Sequence, residues 1–248
     1  MTTPRTTSDR SADALPTSWQ RLLALSGIAF AVLLVVGFFL SGSDTPDFTA
    51  ADQEWTDWAD DSELRSRIGG FLTLIAGFVF LHFAGTIRSV LGSAEATVGG
   101  SGQLARTAFA GAVTGITGIT MAIVMIAGAS VAGADADPVV IRAVASATVG
   151  PFLVGAMGFA ALLGAAGLLT LRSGVFARWI GIVALVGAVA FFITFFTVLA
   201  GPGEDSVPGY GFFVGFLALA IWSIATSVAA YRAVATTAQE LPATEADS

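Results

Sequence analysis

Between Leu22 and Leu40 the chain runs LLALSGIAFAVLLVVGFFL without a single charge. About 20 such residues are what an α-helix needs to cross a hydrocarbon core. Five further apolar runs follow: Ile68 to Leu91, Leu104 to Ala134, Val139 to Leu171, Trp179 to Ala200, and Tyr210 to Tyr231. In lipid every backbone N–H and C=O must find a partner inside the protein, so only helices or closed barrels can span it. These runs are continuously apolar and do not alternate, which selects helices over barrel strands. The expected fold is therefore all-α, with six transmembrane helices at about 22–40, 68–91, 104–134, 139–171, 179–200 and 210–231 within a domain at 18–232. The fourth run is too long to cross straight. Pro151 within TVGPFLVG predicts a kink or tilt near Gly150.

Composition agrees. Hydrophobic residues make up 55% of the 248 and charged residues 12%, against about 25% in a typical soluble domain. Mean hydropathy is +0.81. Residues 1–17 and 233–248 are polar and lack an apolar period, and read as disordered tails. The first apolar run exceeds the 7–15 residues of a signal-peptide core and ends in GFFLSGSD without a small-x-small cleavage site. It is expected to be a retained helix. The chain has no cysteine, which excludes disulfides, thiolate metal sites and cysteine nucleophiles. A net charge of −7 argues against nucleic acid as a partner, because phosphate binding needs a basic patch.

Orientation follows from the arginines, which supply all eleven basic residues. Arg5, Arg10, Arg21, Arg88, Arg106, Arg172, Arg178 and Arg232 fall on one side of the predicted spans; Arg65, Arg67 and Arg142 fall on the other. By the positive-inside rule both termini are expected in the cytoplasm of a multi-pass cell-membrane protein. The acids are biased the opposite way, and most lie in the outer loops.

The densest polar stretch is EWTDWADDSELRSRIGG, from Glu54 to Gly70. Thr49 and Asp52 resemble a helix start, and Phe48, Ala51, Trp55 and Trp58 recur at helical spacing. This predicts a short amphipathic helix lying on the outer surface with its tryptophans at headgroup depth. Asp60, Asp61, Ser62 and Glu63 then signal the start of the second spanning helix. From there Asp61 can reach Arg65 and Glu63 can reach Arg67, each at i,i+4 with the acid first, the better orientation.

Three segments carry a resemblance: DWADDSELRSRIGGFLTLIAGFVFLHFAGTIRSVL, ADPVVIRA, and LRSGVFARWIGIVALVGAV. Together with the helix count they resemble uncharacterised six-helix integral membrane proteins of high-GC actinobacteria, over about residues 20 to 232. Proteins of this type often carry proline before the arginine–tryptophan pair, where this chain has Ala177. The resemblance implies the six-helix fold and no activity, so no site residue follows from it.

Few residues can carry chemistry. His82 is the only histidine, six residues before Arg88 and hence about 9 Å from it along the helix axis. As an intramembrane ionisable group it is a candidate proton relay or ligand contact. The alternative is a neutral ring hydrogen-bonded to a neighbouring helix. Arg65 and Arg67 are the other functional candidates, as cations on the side where cations are disfavoured. No acid falls within any of the six runs, whereas ion-coupled carriers commonly keep a carboxylate near the midplane. Asp57, Asp60 and Asp61 share a helix face, but lack the glycine turn and carbonyl ligands of a calcium loop. Ser130 is predicted at the opposite membrane face from His82, which leaves it without a base. Gly111, Gly115 and Gly118 read as a close-packing face. Phe191, Phe192, Phe195, Phe196, Phe212, Phe213 and Phe216 wall a candidate amphiphile pocket, or pack against helices and lipid.

The sequence therefore predicts a non-enzymatic membrane protein that acts through helix packing, lipid or a protein partner, homo-oligomers included. No cofactor, metal or catalytic residue is expected. The alternative is a carrier or pore for a small uncharged or amphiphilic molecule.

Overall fold

The structure is a computed structural model. It describes residues 17–42, 44–47, 50–131, 136–200 and 207–240, with backbone alone at 17–24, 42, 200, 207–208 and 234–240. Of the predicted tails at 1–17 and 233–248, residues 1–16 and 241–248 lie outside the described residues, while Thr17 and residues 233–240 belong to helices; Phe48 and Thr49 of the expected surface helix also lie outside the described residues. The helices in chain order are α1 (Thr17–Gly42), α2 (Asp52–Thr97), α3 (Gln103–Val131), α4 (Pro138–Ala147), α5 (Val149–Ser173), α6 (Arg178–Thr194), the single turn α7 (Thr197–Ala200) and α8 (Val207–Glu240). Five of the described helical segments are long and apolar enough to cross a membrane: α2, α3, α4 with α5, α6 with α7, and α8 from Gly209. The chain is an integral, multi-pass membrane protein.

Helix ends follow local chemistry. The predicted kink near Gly150 is realised as a break at Thr148, between α4 and α5. Pro151 has no N–H to give to the carbonyl four residues back, so the ladder is interrupted just ahead of it. Asp137 caps α4, accepting a hydrogen bond from the Val139 N–H at 2.9 Å, and Pro138 occupies the first turn. Gly174 ends α5 in the left-handed region, at φ +70°, where a side chain is unfavourable. The last helix stays regular to Glu240, beyond the predicted end at 231.

The long helices close into a ring. α1 packs on α2, α2 on α3, α3 on α5, α5 on α6, α6 on α8, and α8 returns to α1. Neighbours run antiparallel, so one end of the ring carries Arg88, Arg106, Arg172 and Arg178 and the other carries the acidic loops. The predicted glycine face is the contact between α3 and α5. A Cβ on Gly111 would lie 2.6 Å from the Gly158 carbonyl oxygen, and one on Gly118 would lie 2.6 Å from that of Pro151. Glycine is what lets the two backbones touch. The centre of the ring is filled by rings from the other helices. Phe30 meets Phe80 at 4.2 Å between centroids, Phe80 meets Phe159 at 5.9 Å, and Phe159 meets Phe191 at 5.6 Å. Phe83 meets Trp222 at 5.8 Å. Phe30, Phe80, Phe191 and Trp222 are wholly buried.

The acidic end differs from expectation. No separate surface helix forms among the described residues, because Glu54 to Gly70 is the beginning of α2 itself. Nothing between Asp52 and Ile68 breaks a helix: there is no proline and no glycine, and acids sit readily on a solvated face. At 46 residues α2 is roughly 70 Å long, more than twice a hydrocarbon core of about 30 Å. Its projecting portion turns Trp55, Trp58 and Ala59 inward against Ile126 and Ala129 of α3 and Ile141 and Ala145 of α4. Trp55 is 0% exposed and Trp58 is 6%. The apolar stripe was legible; its partner is protein and not lipid, because α4 lies across it.

Candidate functional site

The arginines divide by end. At the acidic end Arg65 pairs with Asp44, Arg67 with Glu63, and Arg142 with Asp52. The expected Glu63–Arg67 pair forms. Arg65 does not take Asp61; it reaches back to the loop after α1, where its half-buried side chain finds Asp44. These pairs tie α1 to α2 and α4 to α2, so Arg65 is a fastening in this structure. Arg67 closes a pair within its own helix.

At the other end the pattern reverses. Among the described residues Arg88, Arg106, Arg172 and Arg178 are exposed and no carboxylate pairs with them. The acid nearest to Arg88 and Arg106 in sequence, Glu95, is committed elsewhere. It is 3% exposed, and its carboxylate accepts the Leu104 and Ala105 N–H groups at 3.2 and 2.9 Å. Glu95 thus caps the start of α3 from the end of α2, across the turn TVGGSGQ. It lies beyond the apolar segment that ends at Leu91. Burial alone would raise its pKa, but the amides of Ala105, Leu104, Gln103 and Gly102 outweigh that and hold it below the ordinary carboxylate value. Sequence patterning missed this residue, since a lone acid near a helix end looks like any solvated charge.

Arg88 sits with its guanidinium carbon 5.0 Å from the centroid of the Phe109 ring. The two help to line a concavity of about 10 Å³ together with buried Phe80, Phe83, Ile87 and Trp222. That is room for about one water molecule. The concavity lies between α2, α3, α5 and α8, not at the phenylalanine cluster of α6 and α8. That cluster is divided: Phe191 and Phe216 face the core, while Phe192, Phe196 and Phe213 point outward. Beside the concavity α8 buries Ser223, Thr226 and Ser227, a polar seam among apolar neighbours. Thr226 donates to its own helix at the Trp222 carbonyl, 2.7 Å away.

His82 stands apart from all of this. It is exposed on the outward face of α2 with Phe71, Phe78 and Leu81, and its ring meets Phe78 edge-on at 4.9 Å. Among the described residues its imidazole makes no hydrogen bond to another helix. Arg65 lies seventeen residues away on the same helix, roughly 25 Å along its axis, so the candidates do not form one site. Among the described residues no three His, Asp or Glu side chains gather as metal ligands. Ser130 donates to the Ala127 carbonyl of its own helix at 3.0 Å. No family model, curated protein or solved structure matches this chain.

Proposed function

We propose that this protein is a non-enzymatic membrane component that works through its surfaces on lipid or on a protein partner, and does not pass a solute through its ring. The observation that carries this reading is the filled centre: Phe30, Phe80, Phe159, Phe191 and Trp222 occupy the space where a conduction path would run. The core around Trp55 and Trp58 adds a packed layer at the acidic end. In this reading all six long helices span the bilayer, α1 included, and both termini face the cytoplasm. The arginines set that orientation by number, and the pairing of Arg65, Arg67 and Arg142 with acids neutralises the cations on the far side.

A carrier or pore for a small uncharged molecule is the competing reading, and one experiment separates the two. Vesicles carrying the purified protein are mixed rapidly with hyperosmotic glycerol, and their reswelling is followed by light scattering. Reswelling should match that of protein-free vesicles. Faster reswelling by the unmodified protein would replace the packing reading with the carrier.

A further inference from the structure

We propose that Arg88 and Arg106 form a headgroup site for an anionic phospholipid in the leaflet at the arginine end. The inference rests on the lipid-contacting reading above and gives it a lipid class and a place. Three observations carry it. First, each described arginine at the acidic end has a carboxylate partner, whereas Arg88 and Arg106 have none among the described residues. Glu95 cannot serve them, because its oxygens are held by the first amides of α3. Second, both cations are held in place. Arg88 lies over the Phe109 ring, and Arg106 stands about one turn before Phe109 on α3. Arg106 donates to the Gly102 and Ser101 carbonyls at 3.1 and 2.9 Å. A guanidinium has five N–H donors, so two such bonds leave others for an incoming oxyanion. Third, depth fits. Arg88 falls three residues before the apolar segment of α2 ends at Leu91, and Arg106 two residues after that of α3 begins at Leu104. That is the layer where phospholipid phosphates lie.

The chemistry then selects the ligand. Guanidinium and phosphate form forked, charge-assisted hydrogen bonds. A phosphatidylglycerol headgroup brings a net negative charge to the two cations. A phosphatidylcholine headgroup carries its own ammonium, which offsets the attraction. The concavity that Arg88 lines has room for only about one water, so the lipid is held by its headgroup at the surface and its chains stay in the bilayer.

The test is native mass spectrometry of the full chain released from detergent with equal phosphatidylglycerol and phosphatidylcholine. The unmodified protein should retain phosphatidylglycerol several-fold over phosphatidylcholine. Arg88→Gln with Arg106→Gln should remove the preference, while Arg172→Gln with Arg178→Gln should keep most of it. Arg88→Lys alone, which keeps the charge and loses the fork, should lower it partway. The altered side chains are exposed, and thermal melts of each variant establish that it is folded. Equal loss in both double variants would mean diffuse attraction and overturn the site, as would an undiminished preference in the Arg88/Arg106 variant. Displacement of the lipid by glycerol phosphate without chains would also overturn it, by making the site one for a soluble anion. Retention of both lipids equally defeats this site alone. Retention of neither defeats it together with the lipid-contacting part of the proposed function.

Discussion

Glu95 shows how much one side chain can decide at a helix start. The first amides of a helix have no partner within it, and a carboxylate there also meets the positive end of the helix dipole. Losing such a cap typically costs about 1 kcal/mol. Glu95→Gln should therefore lower the melting temperature at pH 7. The pH dependence has a definite sign. The folded pKa lies below the unfolded value near 4.3, so the stabilisation is complete above that value and is lost as pH falls through the folded one. Melts of the two proteins should converge as pH drops below about 4. A gap that stays constant from pH 7 to pH 3 would show that the charge is not what stabilises the turn. His82 illustrates the opposite case. Its chemistry singles it out, yet it faces outward with Phe78 as its ring neighbour.

At the scale of elements, the contact between α3 and α5 depends on absent side chains. Gly115 lies under the Phe159 ring, and a Cβ there would come within 2.7 Å of its Cε1. Gly115→Leu forces that ring out of the central aromatic stack. Overpacking of a dense core typically costs about 1–3 kcal/mol, and more where backbones touch. The detergent melt should fall by several degrees. Gly85 provides the comparison, because a Cβ there meets nothing within 4 Å. Gly85→Leu should leave the melt nearly unchanged. Because leucine is the better helix former, propensity cannot lower either melt, and equal losses in the two variants would mean that the contact with Phe159 is not what sets the effect. On α2 the same reasoning explains a failed boundary. Acids in Asp60-Asp61-Ser62-Glu63 imitate a helix start, but a start needs an interruption before it, and none exists after Asp52.

For the whole molecule, orientation and packing are separate questions with separate physical causes. Charge sets which way the ring faces, and the proposed arrangement puts both termini in the cytoplasm. A reporter active only outside the cytoplasm, fused at the C-terminus, should stay silent. Strong activity would invert the molecule and move the arginine end to the outer leaflet. Packing sets what the ring can hold, and here aromatic rings from α1, α2, α5, α6 and α8 meet in its centre, with Phe159 seated on Gly115 of α3.

The sequence alone determined the solvent and the six long apolar helices, though not where α2 begins or α8 ends, because apolar length and the obligation to satisfy backbone hydrogen bonds are local properties. It also determined the break before Pro151 and the close approach at Gly111 and Gly118, since proline and glycine act through their own backbones. What it left open was every question of which partner. Trp55 and Trp58 needed an apolar neighbour, and only the position of α4 made it Ile141 rather than lipid. Arg65 needed an anion, and the return of the chain after α1 made it Asp44 rather than Asp61. Glu95 found its amides only because a short turn brings α3 back alongside α2. Periodicity states that a face must be covered or a charge met; the three-dimensional path of the chain chooses by what, and at the arginine end it left Arg88 and Arg106 for an anion from outside the described chain.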